Sequence, residues 1–264
     1  VGLMGFGVGL GVLWSGQLKG IVADHDEAWR SVYGIHSLVG VVVLVLVFGL
    51  LRGDTSARSA PGGFGGFSVL SQMDGWRPLT LCYFSYGFGY LLIIAFLVAR
   101  LEDDAGYSAE SAGRIFTLLG ICTMFGGIVV GQISDRLGRR RTLVLGFLTF
   151  SASVVAILQS GTGWVVVGTL GCGLLFGGLA TVIAAYIVDR TDETTYGPSY
   201  AAATLAFGVA QVASPQVGGA IADWRGSFTM VFVLSAIVMA TGALSAMRLP
   251  DDSRSATRRA MAAR

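Results

Sequence analysis

Gly131-Gln132-Ile133-Ser134-Asp135-Arg136-Leu137-Gly138-Arg139-Arg140-Arg141 is the most polar run in the middle of a very apolar chain. A long hydrophobic segment precedes it and another follows. So short a connection between two such segments makes a tight turn. Gly131 and Gly138 suit it, because glycine tolerates close helix approach and positive φ. The arginines also assign the turn a side, since basic loops stay on the cytoplasmic face of a membrane. An Arg-rich helix–turn–helix that binds nucleic acid is the competing reading. It fails because the flanking segments have no polar face to offer water.

The rest of the chain agrees. Its 264 residues are 53% hydrophobic and only 13% charged, against roughly 25% charge in soluble domains. Mean hydropathy is +0.70. The 39 glycines show no three-residue period, so a collagen-like reading fails, whereas membrane helices use glycine for packing. A membrane-spanning helix needs about 20 mostly apolar residues. Eight stretches qualify: 2–22, 31–51, 79–99, 112–134, 142–160, 163–188, 197–222 and 227–248. The predicted fold class is all-α integral membrane, with about eight transmembrane helices. On the side of the arginine-rich turn, the connections and the tail carry thirteen arginines, against four on the other side. That asymmetry places both ends of this chain in the cytoplasm. The stretch 52–78 holds Pro61, Gly62, Gly63, Gly65, Gly66 and several serines, and reads as a linker. Two spans precede it and six follow.

Several chemistries are excluded. Cys82, Cys122 and Cys172 each sit in an apolar run without metal-ligand spacing. Two histidines, His25 and His36, build no metal cluster. Lys19 is followed by Gly20 but lacks the glycine pattern of a nucleotide-binding loop, so no ATP-driven pump is indicated. No Ser–His pair supports catalysis, and no cofactor is implied.

Gly131, Asp135, Arg136, Gly138, Arg139 and Arg140 stand in the order of a known signature loop. The chain resembles the major facilitator superfamily (MFS). Three further runs are similar to its bacterial YbfB/YjiJ-like branch: Tyr83-Phe84-Ser85-Tyr86-Gly87-Phe88-Gly89-Tyr90, Phe207-Gly208-Val209-Ala210-Gln211, and Asp223-Trp224-Arg225-Gly226-Ser227. Ser214-Pro215-Gln216-Val217-Gly218-Gly219 departs from that branch at Ser214, where a glycine before the proline is usual. The resemblance implies an MFS-type helical bundle in a bacterial-type inner membrane. It implies a secondary active transporter that moves a small-molecule substrate by alternating access, driven by an ion gradient, with protons among the candidate ions. Two six-helix halves are implied as well, so the chain looks like helices 5–12 of twelve. Residues 1–51 would hold the last two helices of the N-terminal half, 52–78 the cytoplasmic linker, 79–250 the complete C-terminal half and 251–264 a basic tail. The reading from another class is a membrane fragment or scaffold that does not transport and only binds partners. The sequence upstream of Val1 discriminates between them. The lipid bilayer is a partner on either reading, and nucleic acid on neither.

Candidate substrate contacts are polar or amphipathic side chains inside spans. Tyr83, Tyr86 and Tyr90 share one helix face at i, i+3 and i+7. They fit a cavity wall or ordinary packing, and Tyr83 also fits an aromatic belt near the membrane surface. Gly87 and Gly89 would let that helix bend. Gln211 precedes Pro215 by four residues, so its carbonyl loses its helix partner. Its amide would contact a ligand or bond another helix. Lys19, the only lysine, either snorkels to the interface or meets a substrate carboxylate. His36 is expected to be neutral and hydrogen-bonded. Gly168, Gly171, Gly173, Gly177 and Gly178, with Gly127 and Gly131, read as close packing faces. In the family the signature loop latches the cytoplasmic face by exchangeable charge contacts. That role would fall on Asp135 paired with Arg136 or Arg139, with docking near Val1.

Overall fold

The computed structural model describes residues 7–15, 17, 28–50, 65–159 and 161–250, and all regular structure among them is helical. Helix α1 covers residues 7–15 and α2 is Ala28–Leu50. Then come α3 (Gly65–Ser71), α4 (Trp76–Ala99), α5 (Ala109–Leu137), α6 (Arg139–Leu158), α7 (Thr162–Val188), α8 (Tyr196–Arg225) and α9 (Thr229–Ala246). A π-helical turn, Arg100–Asp104, extends α4. Seven described helices are long and apolar enough to cross a membrane. They match seven of the eight expected spans; the first, 2–22, is described only in part. The protein is an all-α, multi-pass membrane protein.

The arginine-rich turn is tighter than expected. Residues 135–141 are helical except for Gly138, which turns the chain between α5 and α6 alone, at φ 91° and ψ 152°. Side chains rarely adopt that φ, so the turn requires glycine. The linker expectation also changes. From residue 65 onward the stretch 52–78 is not an open connection, because α3 packs on α8 and buries Leu70 and Met73. Leu70 lies in the last turn of α3 and Met73 in the bend that leads to α4, two apolar residues that the glycines and serines around them obscure. Residues 51–64 and the tail 251–264 lie outside the described residues.

The six helices α4–α9 form one bundle. α7 packs on α5 and α6, α6 on α9, α9 on α4, and α4 on α8. Lipid provides no hydrophobic drive between helices, so small residues and interhelical hydrogen bonds hold the bundle. Hydroxyls span from helix to helix: Ser235 Oγ donates to the Gly89 carbonyl (2.7 Å) and Ser151 Oγ to that of Ala236 (2.8 Å). The expected glycine faces on α7 are in close contact. The tightest partner lies on α5 at Gly126, where a Cβ would stand 2.1 Å from the Leu174 carbonyl oxygen. Gly131, by contrast, makes an ordinary contact with Thr181. α4 runs unbroken through Gly87 and Gly89, which seat Phe207 and Met239 against it.

Charges are kept to the ends. Opposite the arginine-rich end, the Asp104 carboxylate accepts from Ser227 Oγ and from the Phe228 amide, both at 2.8 Å, and so meets the start of α9. At the arginine-rich end, Asp192 orders the approach to α8. One of its oxygens accepts from the hydroxyls and amides of Thr194 and Thr195, at 2.7–2.9 Å. These bonds, that from the Thr194 hydroxyl first, hold its pKa down to about 2, below the ordinary 3.8. A depressed carboxylate pKa stabilises the fold above the ordinary value, and that contribution is lost as pH falls through the folded one. Amide exchange at Thr194 and Thr195, corrected for its intrinsic pH dependence, should stay level down to about pH 4 and rise progressively between about pH 4 and about 2. A rise beginning well above pH 4 would contradict the ordering role of Asp192.

Candidate functional site

α4 turns Tyr83, Tyr86 and Tyr90 toward α7 and α8, on one face as their spacing predicts. The three are 3%, 2% and 7% exposed, so they lie within the bundle and not on an open wall. Phe176 of α7 and Phe207 of α8 complete the cluster. Ring centroids are 4.5 Å apart for Tyr90–Phe176, 4.9 Å for Tyr86–Tyr90 and 4.8 Å for Tyr83–Phe207.

The hydroxyls separate the three roles. Tyr86 donates to the Phe176 backbone carbonyl at 2.5 Å. That satisfies a buried O–H and pins α4 to α7, which is the packing side of the expectation. Tyr90 accepts from the Gln211 side-chain amide, on half-buried ground. Two residues 121 positions apart in sequence thus form one polar pair. Tyr83 faces the Tyr200 hydroxyl at 3.4 Å.

The Tyr90–Gln211 pair keeps chemistry in reserve. The Tyr90 O–H remains free to donate, and Gln211 Oε1 remains free to accept. Pro215 has no N–H, so the Gln211 backbone carbonyl lacks its usual helical partner. Ser214 Oγ, one turn along, is buried without a partner. The space beside Tyr90, bordered by Ile93, Leu119, Phe150, Cys172 and Phe176, is apolar and too tight for water. No charged residue occurs on α4 between Arg77 and Arg100, on α7 between Thr162 and Val188, or on α8 between Tyr196 and Ala222. The arrangement therefore offers one unused donor and one unused acceptor, without charge, against aromatic faces.

At the arginine-rich end, Arg139 is the hub. It donates to Asp135 Oδ1 (2.6 Å), Asp189 Oδ2 (3.0 Å) and Ser134 Oγ (3.1 Å). Its side chain is 14% exposed, against 65% for Asp135. Of the two expected partners for Asp135, Arg139 makes the contact and Arg136 stays exposed. Asp189 escaped the sequence reading. Its signal was its place directly after the apolar α7, on the side of the same turn. All of these contacts lie within α5–α7. Arg140 donates to the Met247 carbonyl (2.6 Å) and Arg190 to that of Pro250 (2.9 Å), fastening the end of α9.

Other expectations fall elsewhere. Lys19 and the docking point near Val1 lie outside the described residues. His36 is hydrogen-bonded: Nδ1 faces the Val32 carbonyl at 2.8 Å and Nε2 faces Ser15 Oγ at 3.1 Å. It is not part of the tyrosine cluster. Tyr200 and Thr204 were overlooked, although with Phe207 and Gln211 they recur at i, i+4, i+7 and i+11, which is one helix stripe. α1 crosses α5 closely: a Cβ at Gly120 would stand 2.6 Å from the Leu13 amide nitrogen.

Residues 79–263 match the family model described as Major Facilitator Superfamily. Zinc induced facilitator-like 1 of Arabidopsis thaliana is 28% identical over 151 residues, which is 56% of this chain and 30% of that protein. Myo-inositol transporter 3A of Cryptococcus neoformans var. grubii is 24% identical over 212 residues, 74% of this chain and 36% of that one. The chain thus spans about a third of the length of these curated relatives. Among solved structures, the E. coli fucose:proton symporter superposes with a TM-score of 0.62 at 18% identity, over 88% of this chain and 61% of its own. That likeness concerns the fold.

Proposed function

This chain belongs to the major facilitator superfamily, and on that premise we propose that it is part of a secondary transporter that carries a small solute by alternating access, driven by an ion gradient. The observation that carries the reading is the Tyr90–Gln211 pair, polar, uncharged and held between two helices of the bundle. Transporter sites lie near the membrane midplane, between the two halves. Tyr90 and Gln211 each fall near the middle of their helices. Tyr86 positions this pair through Phe176, and Tyr83 stands toward the arginine-rich end. The arginine excess supports a cytoplasmic placement of that end, and the resemblance to the YbfB/YjiJ-like branch supports a bacterial-type inner membrane. The turn around Gly138 is the gate there, with Asp135, Arg139 and Asp189 as its exchangeable charges. The tyrosine-rich opening of α4 supports the YbfB/YjiJ-like branch. By the same reading α1 and α2 close an N-terminal half, and Ala109–Leu137 of the second half meets α1.

The test uses the protein encoded by the full reading frame, reconstituted in vesicles and screened for solutes accumulated along a proton or sodium gradient. For the solute found, Tyr90→Phe and Gln211→Leu should each raise KM about tenfold, since an unpaired buried group costs about 1–3 kcal/mol and 1.4 kcal/mol is tenfold. Unchanged KM in both would remove the pair from the site. Absence of gradient-dependent uptake across the screen would overturn the transporter reading.

A further inference from the structure

The seam between α4 and α8 continues past the Tyr90–Gln211 pair. Phe207 divides it. Its ring lies 4.8 Å from that of Tyr83 and 5.8 Å from that of Tyr90. It rests over Gly87, where a Cβ would come within 2.8 Å of the ring. On the far side of Phe207 from Gln211 stands a second group of hydroxyls: Tyr83, Tyr200 and Thr204.

These hydroxyls are short of partners. The Tyr83–Tyr200 contact, at 3.4 Å, is long beside the about 2.7–2.8 Å usual for O–H···O. Thr204 Oγ1, shielded from solvent, has the Tyr83 hydroxyl as a neighbour but no hydrogen bond of good geometry. Ser199 Oγ, next along α8 and 1% exposed, is also unpartnered. Three hydroxyls bring three donors and six acceptor sites, and the one long contact engages a single donor. Buried hydroxyls are ordinarily paired, so a group left this way has capacity to spare for a ligand. The seam between Arg77 and Arg100 holds no counter-charge for an ion, and an unpaired charge there would be costly.

We propose that Tyr83, Tyr200 and Thr204 form a second solute seat, about 10 Å from the Tyr90–Gln211 pair toward the arginine-rich end (seven helical residues at about 1.5 Å each), and that the solute is uncharged and carries several hydroxyls. The proposal rests on the transporter reading of the Tyr90–Gln211 pair. Each hydroxyl of the seat both donates and accepts, which matches a solute whose own hydroxyls do the same. The rings of Tyr83 and Phe207 cover its apolar C–H face. A carboxylate would find no cation here. An ammonium would find ring faces but no carboxylate.

The experiment is equilibrium binding to the protein encoded by the full reading frame, in lipid nanodiscs. The probes are sorbitol, gluconate and N-methylglucamine, polyols of similar length that are neutral, anionic and cationic. Sorbitol should bind best, with two molecules per chain. Tyr200→Phe combined with Thr204→Val should leave one, and Tyr90→Phe combined with Gln211→Leu should leave the other. Thermal unfolding of each variant shows that it is folded. Better binding of gluconate or N-methylglucamine, or no binding of sorbitol to the folded parent, overturns the proposal. So does an unchanged stoichiometry in the Tyr200/Thr204 variant, and the inner site then stands alone. If only the Tyr90/Gln211 variant is without effect, the second seat is supported and the inner-site reading fails.

Discussion

Gly126→Val should prevent the bundle from assembling. A Cβ at this position would lie 2.1 Å from the Leu174 carbonyl oxygen and 3.2 Å from the Gly178 amide nitrogen. Both are backbone atoms, so no side chain can swing aside. The two helices must separate, and α7 in turn packs on α6. Glycines face one another along this crossing: a Cβ at Gly177 would stand 2.4 Å from the Thr123 carbonyl oxygen. The cost should reach the upper end of the about 1–3 kcal/mol seen for overpacking. About 3 kcal/mol is roughly a hundredfold in the folded-to-unfolded ratio. In detergent, the variant should lose its monodisperse chromatographic peak and its cooperative thermal transition. Gly219→Ala is the control, because nothing lies within 4 Å of its Cβ position. A Gly126→Val protein as stable as the control would show that the α5–α7 crossing is not as close as described.

Asp135→Asn in the full-length protein should lower turnover about tenfold, while KM changes less than about twofold and expression stays near that of the parent. Asp135 is mostly exposed, and exposed ion pairs contribute only about 0–1 kcal/mol to folding. A conformational equilibrium is more sensitive, since 1.4 kcal/mol changes a population ratio tenfold. Asp135 and Asp189 share the Arg139 guanidinium. Removing one carboxylate's charge leaves the other holding Arg139 at α7, so the turn loses an exchange partner and not its fold. Asp189→Asn should act in the same direction, because it removes the better-shielded of the two partners. Turnover unchanged in both variants would reduce the turn to a topology signal. Failure to insert would instead show that these charges are structural.

Much of the site was legible in the sequence, but not its division of labour. Helix spacing placed the three tyrosines on one face, and a proline four residues on singled out Gln211. That Tyr86 spends its hydroxyl on the Phe176 carbonyl while Tyr90 takes the Gln211 amide depends on which helices meet. Tyr200 and Thr204 sit on a visible stripe of α8, yet a stripe acquires meaning only from what faces it.

The sequence by itself determined the number and order of the described spans, and placed the turn between α5 and α6 within residues 135–141. These are local matters: charge is too costly in lipid to lie anywhere but the ends. The tertiary structure alone decided which faces touch. It chose Gly126 over Gly131 as the close crossing with α7, Asp189 as the second partner of Arg139, and α8 as the cover for α3. The physical reason is that lipid tails are as apolar as the helix interfaces themselves. The face that meets a neighbour and the face that meets lipid then carry the same kinds of residue. The contrast that orients a helix in a water-soluble protein is absent, and only the shapes of small residues and the reach of a few hydroxyls remain to choose between faces.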